Sequence, residues 1–262
     1  MSSTSASILL INLDRSAERL KFMTDQLSRL GLSFQRLSAV DGQKIDIAAF
    51  AEIPRSPGEI GCFLSHRSAW TRLVQSDRSH AIILEDDAHL SPDLADIITD
   101  LSWFPSDAMI VKLETMAMPV LLDPKEHNGP GQRKLKRLRS AHPGTAGYII
   151  SRSGATALLR NSESFNQPVD DFMFSKRALT YFPTYQMLPA AIIQHQFRCS
   201  SSGKLFEPSE IVPERRKRKC AQTRPPLARL ILRELWRAVE KFRYKTLPRA
   251  KYGDRFQLVS FQ

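Results

Sequence analysis

Ala81-Ile-Ile-Leu-Glu-Asp-Asp87 sets four apolar residues directly before three carboxylates. A short continuous apolar run rich in branched residues predicts a buried strand of an α/β sheet. Glu85, Asp86 and Asp87 then stand beyond its carboxyl end, where open α/β sheets bind their ligands. Three adjacent carboxylates repel one another, and a hard divalent cation relieves the repulsion. Mg²⁺ and Mn²⁺ take oxygen ligands and keep positions open for phosphates. In an acidic-x-acidic pattern the outer two carboxylates converge on one ion while the middle one points elsewhere. The same string also reads as a solvated acidic turn that caps the next helix.

The flanking segments extend the α/β reading. Upstream, Ser56-Pro-Gly-Glu59 starts a helix: Ser56 as N-cap, Pro57 at N1 and Glu59 closing a capping box. Ile60, Phe63, Leu64, Trp70, Leu73 and Val74 form its apolar stripe. Further upstream, Ser7-Ile-Leu-Leu-Ile11 predicts a strand and Ser16 to Leu30 a helix ending at Gly31. Phe34 to Leu37 supplies a second strand, closed by the turn Ala39-Val-Asp-Gly42, which completes a βαβ unit. Downstream, Ser91-Pro92 restarts a helix, and Ala108–Leu113, Val120–Leu122, Gly147–Ile150 and Ala190–Ile193 are further strand candidates around a short helix from Ser153 to Leu159. The expected fold is α/β with a mostly parallel central sheet. Residues 123–144 are polar and carry the basic run Arg133-Lys-Leu-Lys-Arg-Leu-Arg139, and they read as a long loop, either a lid over a ligand or an inert insertion. Neither G-x-G-x-x-G after the first strand nor G-x-x-x-x-G-K-[ST] is present.

Composition bounds the rest. The chain has 262 residues, 42% hydrophobic and 25% charged, with a net charge of +11. That excludes disorder throughout and suits one large domain or two small ones. Three cysteines without a C-x-x-C pair indicate a reducing compartment and argue against a structural zinc site. No apolar run approaches the ~18 residues of a bilayer span, so a place in the cytosol, or at least on the cytosolic side of a membrane, is expected. Residues 1–210 hold 23 Lys and Arg against 23 Asp and Glu, so the whole excess lies in residues 211–262. The chain divides accordingly into a neutral domain, 1–210, and a basic tail, 211–262. Within the tail, Leu227, Leu230, Ile231, Leu235, Val239 and Phe242 share one helical face, with Arg229, Arg233, Arg237 and Lys241 on the other. With Arg215-Arg-Lys-Arg-Lys219 this predicts an amphipathic helix that lies on an anionic membrane surface, or that packs on the domain with its charges in solvent. The neutral domain argues against nucleic acid as the partner. A metal-dependent phosphohydrolase or nucleotidyltransferase would draw carboxylates from several strands around two metals, and here one cluster dominates.

The order and spacing of several strings resemble glycosyltransferase family 25, the lipopolysaccharide and lipooligosaccharide galactosyltransferases. They are Ile11-Asn-Leu-Asp-Arg15 with Arg19, Ser38-Ala-Val-Asp-Gly42, Gly58-Glu-Ile-Gly-Cys-Phe-Leu-Ser-His66 with Trp70, and Ile83-Leu-Glu-Asp-Asp87. Lys112-Leu-Glu-Thr115, Gly144-Thr-Ala-Gly-Tyr148 and Pro168-Val-Asp170 continue the series. The resemblance implies a GT-A-like fold and a metal-dependent, inverting transfer of a hexose, galactose by the family name, from a UDP-sugar to a lipid-linked oligosaccharide. It puts the triplet in the place of the Asp-x-Asp motif, with Glu85 and Asp87 favoured for Mn²⁺ or Mg²⁺. His195 is a candidate third ligand or an ordinary satisfied histidine. The donor would lie near Asn12, Arg15, Ala39 and Asp41, with Ser65, His66, Asp86 and Lys112 in reach. Arg15 also suits a surface helix start, and His66 a structural bond to a core carbonyl. An inverting transfer needs a general base. Asp170 and Asp171, which also suit a helix N-cap, and Glu114 are the candidates.

Overall fold

The computed structural model describes residues 6–50, 55–198 and 256–262. In chain order the elements are β1 (Ala6–Asn12), α1 (Ala17–Arg29), β2 (Gln35–Ser38), α2 (Pro57–Gln75), β3 (His80–Glu85), β4 (Ala88–Leu90) and α3 (Leu94–Thr99). There follow β5 (Ile110–Lys112), β6 (Glu114–Thr115), β7 (Pro119–Asn128), β8 (Lys134–Leu138), β9 (Gly147–Ser151) and α4 (Arg152–Asn161). The last are α5 (Val169–Phe174), α6 (Ala178–Tyr181), β10 (Thr184–Leu188), β11 (Ile192–Gln194) and β12 (Phe256–Leu258).

One sheet runs β12-β7-β8-β10-β5-β9-β3-β1-β2, and a small one runs β4-β11-β6. Successive residues of β1 and β3 point to opposite faces, and both faces are covered. Ile8, Leu10, Ile82 and Leu84 pack with Met23 and Leu27 of α1 and Ile97 of α3. Leu9, Ile11, Ala81 and Ile83 pack with Phe63, Trp70 and Leu73 of α2 and Leu158 of α4. This is why both strands read as unbroken apolar runs.

The sheet is mixed. The expected parallel pairing holds over β2-β1-β3 and between β5 and β10. Between these blocks β9 runs antiparallel to both β3 and β5, pairing Leu84 with Gly147 and Lys112 with Tyr148. Its direction has a consequence for the site: the segment leading into β9 arrives beside the end of β3, where Glu85 N–H donates to the Ala146 carbonyl at 3.0 Å.

The stretch expected as a loop, 123–144, largely forms a hairpin of β7 and β8, which corrects the loop reading. The turn Asn128-Gly-Pro-Gly131 reverses the chain, and Gly131 takes φ +56. Leu122, Leu135 and Leu138 bury their side chains, and β8 pairs with β10. The basic residues between them find partners at the sheet surface: Lys136 with Glu126 at 3.2 Å, and Arg139 with Asp123.

Of the basic tail, residues 211–255 lie outside the described residues, and so does the amphipathic helix read there. The last seven residues are built into the domain. β12 pairs antiparallel with β7. Val259 is fully buried among Val120, Leu122, Leu138, Leu188 and Ala190. Thr115 Oγ1 donates to the Val259 carbonyl at 2.7 Å, and the buried Arg133 donates to the Gln262 carbonyl at 2.9 Å. Among the described residues no helix is long and apolar enough to cross a membrane.

Candidate active site

A cavity of about 310 Å³ opens at the carboxyl ends of β1 and β3, walled by the first βα turn, the 39–43 turn, the start of α2 and the acidic triplet. The capping box forms as expected: Ser56 Oγ accepts from Glu59 N–H while Glu59 accepts from Ser56 N–H. It aims the first turns of α2 at the 39–42 turn. The contact is too close for side chains. A Cβ on Gly61 would stand 2.5 Å from the Val40 carbonyl oxygen, and one on Gly42 would stand 2.3 Å from that of Pro57. Ser65 completes the seam, accepting from Val40 N–H at 2.8 Å and donating to the Gly61 carbonyl at 2.7 Å. Ala39 and Asp41 are thereby held at the cavity wall, and Arg15 pairs with Asp41. That ion pair, with Gln43 N–H, holds the Asp41 carboxyl below the usual range.

The three carboxylates of the triplet have three environments. Glu85 Oε1 accepts from Thr145 Oγ1 at 2.5 Å and faces His66 Nε2 at 3.1 Å. Burial pushes the Glu85 carboxyl up, but His66, Thr145 and Lys112 outweigh it and hold it below its ordinary value. Asp86 turns back into the protein, accepting from Asn12 Nδ2 at 2.8 Å and from Arg19 at 3.2 Å. Asn12 is itself buried and also accepts from Arg36 Nε, so it braces β1 against the triplet. Asp87 is 8% exposed, and its Oδ1 has no hydrogen-bond partner. Burial and the charges of Glu85 and Asp86 push its carboxyl up to about 8. A buried carboxylate oxygen with no donor, crowded by two other carboxylates, fits a divalent cation.

His66 is fully buried and bonds no core carbonyl; it bridges Glu85 and Tyr148 Oη, the latter at 2.9 Å. Trp70 Nε1 donates to the same hydroxyl at 2.9 Å. An ionised carboxylate only accepts, so His66 Nε2–H donates to Glu85, and a neutral ring then accepts a hydrogen bond from the Tyr148 hydroxyl at Nδ1. Cys62, one turn earlier in α2, brings its sulfur within 4.8 Å of the His66 and Glu85 ligand atoms.

His195 lies beside the triplet: its backbone N–H donates to the Asp87 backbone carbonyl at 2.9 Å. Its Nδ1 faces His89 Nε2 at 2.8 Å, and Arg198 reaches His89 Nδ1 at 2.7 Å. A guanidinium only donates, so His89 gives its Nε2 proton to His195 Nδ1. In this order His195 presents an N–H, whereas a ligand nitrogen there needs the ring proton on Nδ1.

A second group lies behind the end of β5. Lys112 is fully buried, 3.4 Å from Glu114 Oε2, and donates to the Pro143 and Gly144 carbonyls. Its ammonium also stands 4.2 Å from the centre of the Phe174 ring. Glu114 Oε2 accepts from Ala146 N–H at 2.8 Å, while Oε1 has no partner. Burial pushes the Glu114 carboxyl up to about 7, with Lys112 opposing. Gly144, at φ +93, lies over this oxygen; a Cβ there would stand 2.3 Å from it. Asp170 is buried in the first turn of α5, and its charge acts on Lys112, but Asp171 lies on the exposed face. Pro168 takes the N-cap position that had been open to the aspartates.

The structure thus gathers Asn12, Arg15, Ala39, Asp41, Ser65, His66 and the triplet around one cavity, sets His195 against Asp87, and places Lys112, Glu114 and Asp170 together behind β5. The sequence reading missed Cys62, Thr145, Tyr148 and His89. The i, i+4 spacing of Cys62 and His66 was the available signal for the first; the others become visible only through β9 and β11.

Comparison with known proteins identifies the family. Residues 5–173 match the glycosyltransferase family 25 (LPS biosynthesis protein) model. The lacto-N-neotetraose biosynthesis glycosyltransferase LgtB of Neisseria meningitidis serogroup B is 29% identical, covering 96% of this chain and 98% of its own. LgtB of serogroup A is 32% identical over 70% of this chain and 72% of its own. The lipooligosaccharide biosynthesis protein lex-1 of Haemophilus influenzae is 28% identical over 78% and 72%. With the family match running across residues 5–173, the chain belongs to glycosyltransferase family 25.

Proposed function

We propose that the chain transfers a hexose, galactose in our reading, from a UDP-sugar to a lipid-linked lipopolysaccharide or lipooligosaccharide acceptor, with inversion and with Mn²⁺ or Mg²⁺. The observation that carries this reading is Asp87: a buried carboxylate with an unpartnered oxygen at the end of β3, on the wall of the cavity. The names of the relatives support an oligosaccharide acceptor; the galactose rests on the family resemblance alone.

In this reading Asp87 is the principal cation ligand. Glu85 stands beside it with one oxygen committed to His66 and Thr145. Asn12 and Arg19 fix Asp86 and so fix the backbone that presents Asp87. A bound cation would neutralise the charge that develops on the departing diphosphate. Glu114 is the general base in this reading: its carboxyl is pushed up to about 7 and Oε1 has no hydrogen-bond donor, and an acceptor hydroxyl reaches that oxygen when the Gly144 turn that covers it moves aside. Lys112 holds Glu114 and the Pro143-Gly144 turn in place, and Asp170 balances its charge. The basic segment 211–255 is proposed to hold the enzyme at an anionic membrane surface on its cytosolic side, where a lipid-linked acceptor resides. Family membership leaves no observation in favour of nucleic-acid binding or phosphohydrolysis.

The test is a panel of UDP-sugars with a lipooligosaccharide acceptor, following UDP release and the anomeric configuration of the product. The reading expects metal-dependent release with inverted product. Full turnover in excess EDTA, or retained configuration, contradicts it.

A further inference from the structure

We propose that Cys62, His66 and Glu85 form a second cation site, one that takes Zn²⁺ in preference to Mn²⁺ or Mg²⁺ and blocks the donor cavity when filled. The blocking rests on the donor reading above; the binding of the ion does not.

Cys62 and His66 are four residues apart in α2 and therefore share a face. That face meets the end of β3 at Glu85. The three residues each offer one ligand atom, and these atoms lie within 4.8 Å of one another. Zinc bonds of about 2.0–2.3 Å in tetrahedral geometry place ligand atoms roughly 3.3–3.8 Å apart. Side-chain shifts of about 1 Å close the set.

The chemistry of the donors selects the ion. Asp87 offers only oxygen, which suits Mg²⁺ and Mn²⁺. A thiolate and an imidazole suit Zn²⁺. The charges also balance: the thiolate and the Glu85 carboxylate cancel a dication, so no net charge is left in a half-buried place. On binding, the thiol proton leaves to solvent. The imidazole stays neutral and carries its proton on Nδ1 instead of Nε2; the Tyr148 hydroxyl then rotates its own proton away from the ring and accepts from Nδ1–H 2.9 Å away. That hydroxyl, fixed in turn by Trp70, is the outer support that a ligating histidine needs. The transfer mechanism has no use for Cys62, yet its side chain lines the cavity together with His66, Glu85, Asp86 and Asp87. An ion held there leaves its fourth position facing the space where a nucleotide diphosphate would lie.

The experiment is a Co²⁺ titration of the full chain, read by the thiolate-to-cobalt charge-transfer band in the near ultraviolet, with Zn²⁺ as competitor. The band is expected in the intact protein and in a Cys199→Ser/Cys220→Ser double variant, and absent in Cys62→Ser and Cys62→Ala. Tyr148→Phe should weaken Zn²⁺ binding about 10-fold or more. Mn²⁺ should leave the band unchanged. No band in the intact chain, or an equal band in both Cys62 variants with unchanged melting temperature, overturns the site. UDP that fails to compete with Co²⁺ overturns the blocking role alone.

Discussion

Replacing Asp87 by asparagine is expected to stabilise the metal-free protein while abolishing transfer. The carboxyl is 8% exposed and pushed from 3.8 up to about 8 by burial and by Glu85 and Asp86. Because the folded-state value is raised, the folded protein holds a proton that the unfolded chain has released. Stability is therefore lost as pH rises from about 4 to about 8, and is constant beyond. At pH 7 the loss is on the order of 4 kcal/mol, from about 1.4 kcal/mol for each unit between the two values. Asparagine carries no such charge, so the variant escapes the loss. At about 2–4 °C per kcal/mol for a chain of this size, the metal-free variant should melt on the order of 10 °C higher at pH 7. The two melting curves should converge near pH 4. Added Mn²⁺ should raise the melting temperature of the intact protein and leave the variant unmoved. Differential scanning fluorimetry across pH 4–9, with EDTA or Mn²⁺, reads all of this. Equal or lower stability of Asp87→Asn at pH 7 without metal, with parallel pH curves, would refute the reasoning.

Three further outcomes follow from the geometry. Glu114→Gln should lower kcat by about 10²–10⁴-fold, and it should remove the acid limb expected near pH 7 in the intact enzyme, where the base must be ionised to act; steady-state pH profiles check it. Deleting residues 256–262 strips Val259 from its cluster, which costs roughly 1.5–3 kcal/mol, and leaves Arg133 and Thr115 without their carbonyl partners; denaturant melts should show the loss. Changing Arg215-Arg-Lys-Arg-Lys219 to serines should weaken sedimentation with anionic vesicles by up to about 1 kcal/mol per charge, in a salt-dependent way, while sparing transfer to a soluble acceptor.

The features most legible in the sequence are those that local chemistry dictates. β1 and β3 are buried on both faces, so Ile8–Ile11 and Ala81–Leu84 are unbroken apolar runs. Ser56, Pro57 and Glu59 spell out a helix start that forms in full, and Gly31 takes φ +67 at the end of α1. The β7–β8 hairpin is hidden because only Val120, Leu122, Leu135 and Leu138 bury apolar side chains, while Lys134, Lys136 and Arg137 look like a solvated run. Val259 is the one buried side chain of the last seven residues, and no periodicity announces a single buried residue. At the site the triplet stands out in the sequence. The division of labour among its carboxylates does not, because it is set by Asn12, Arg19, His66 and Thr145, which reach the triplet from four other parts of the chain. Asp170 and Asp171 are equivalent on paper, and the helical turn between them buries one and exposes the other.

The central claim is that Asp87 holds the cation on which donor binding depends. Calorimetric titration of UDP into the intact protein and into Asp87→Asn, each with Mn²⁺ and with EDTA, tests it most directly. The account predicts UDP binding to the intact protein that strengthens at least about 10-fold with Mn²⁺, and no effect of Mn²⁺ on the variant. UDP binding of equal strength in Mn²⁺ and in EDTA, or a Mn²⁺ effect that survives in Asp87→Asn, contradicts it.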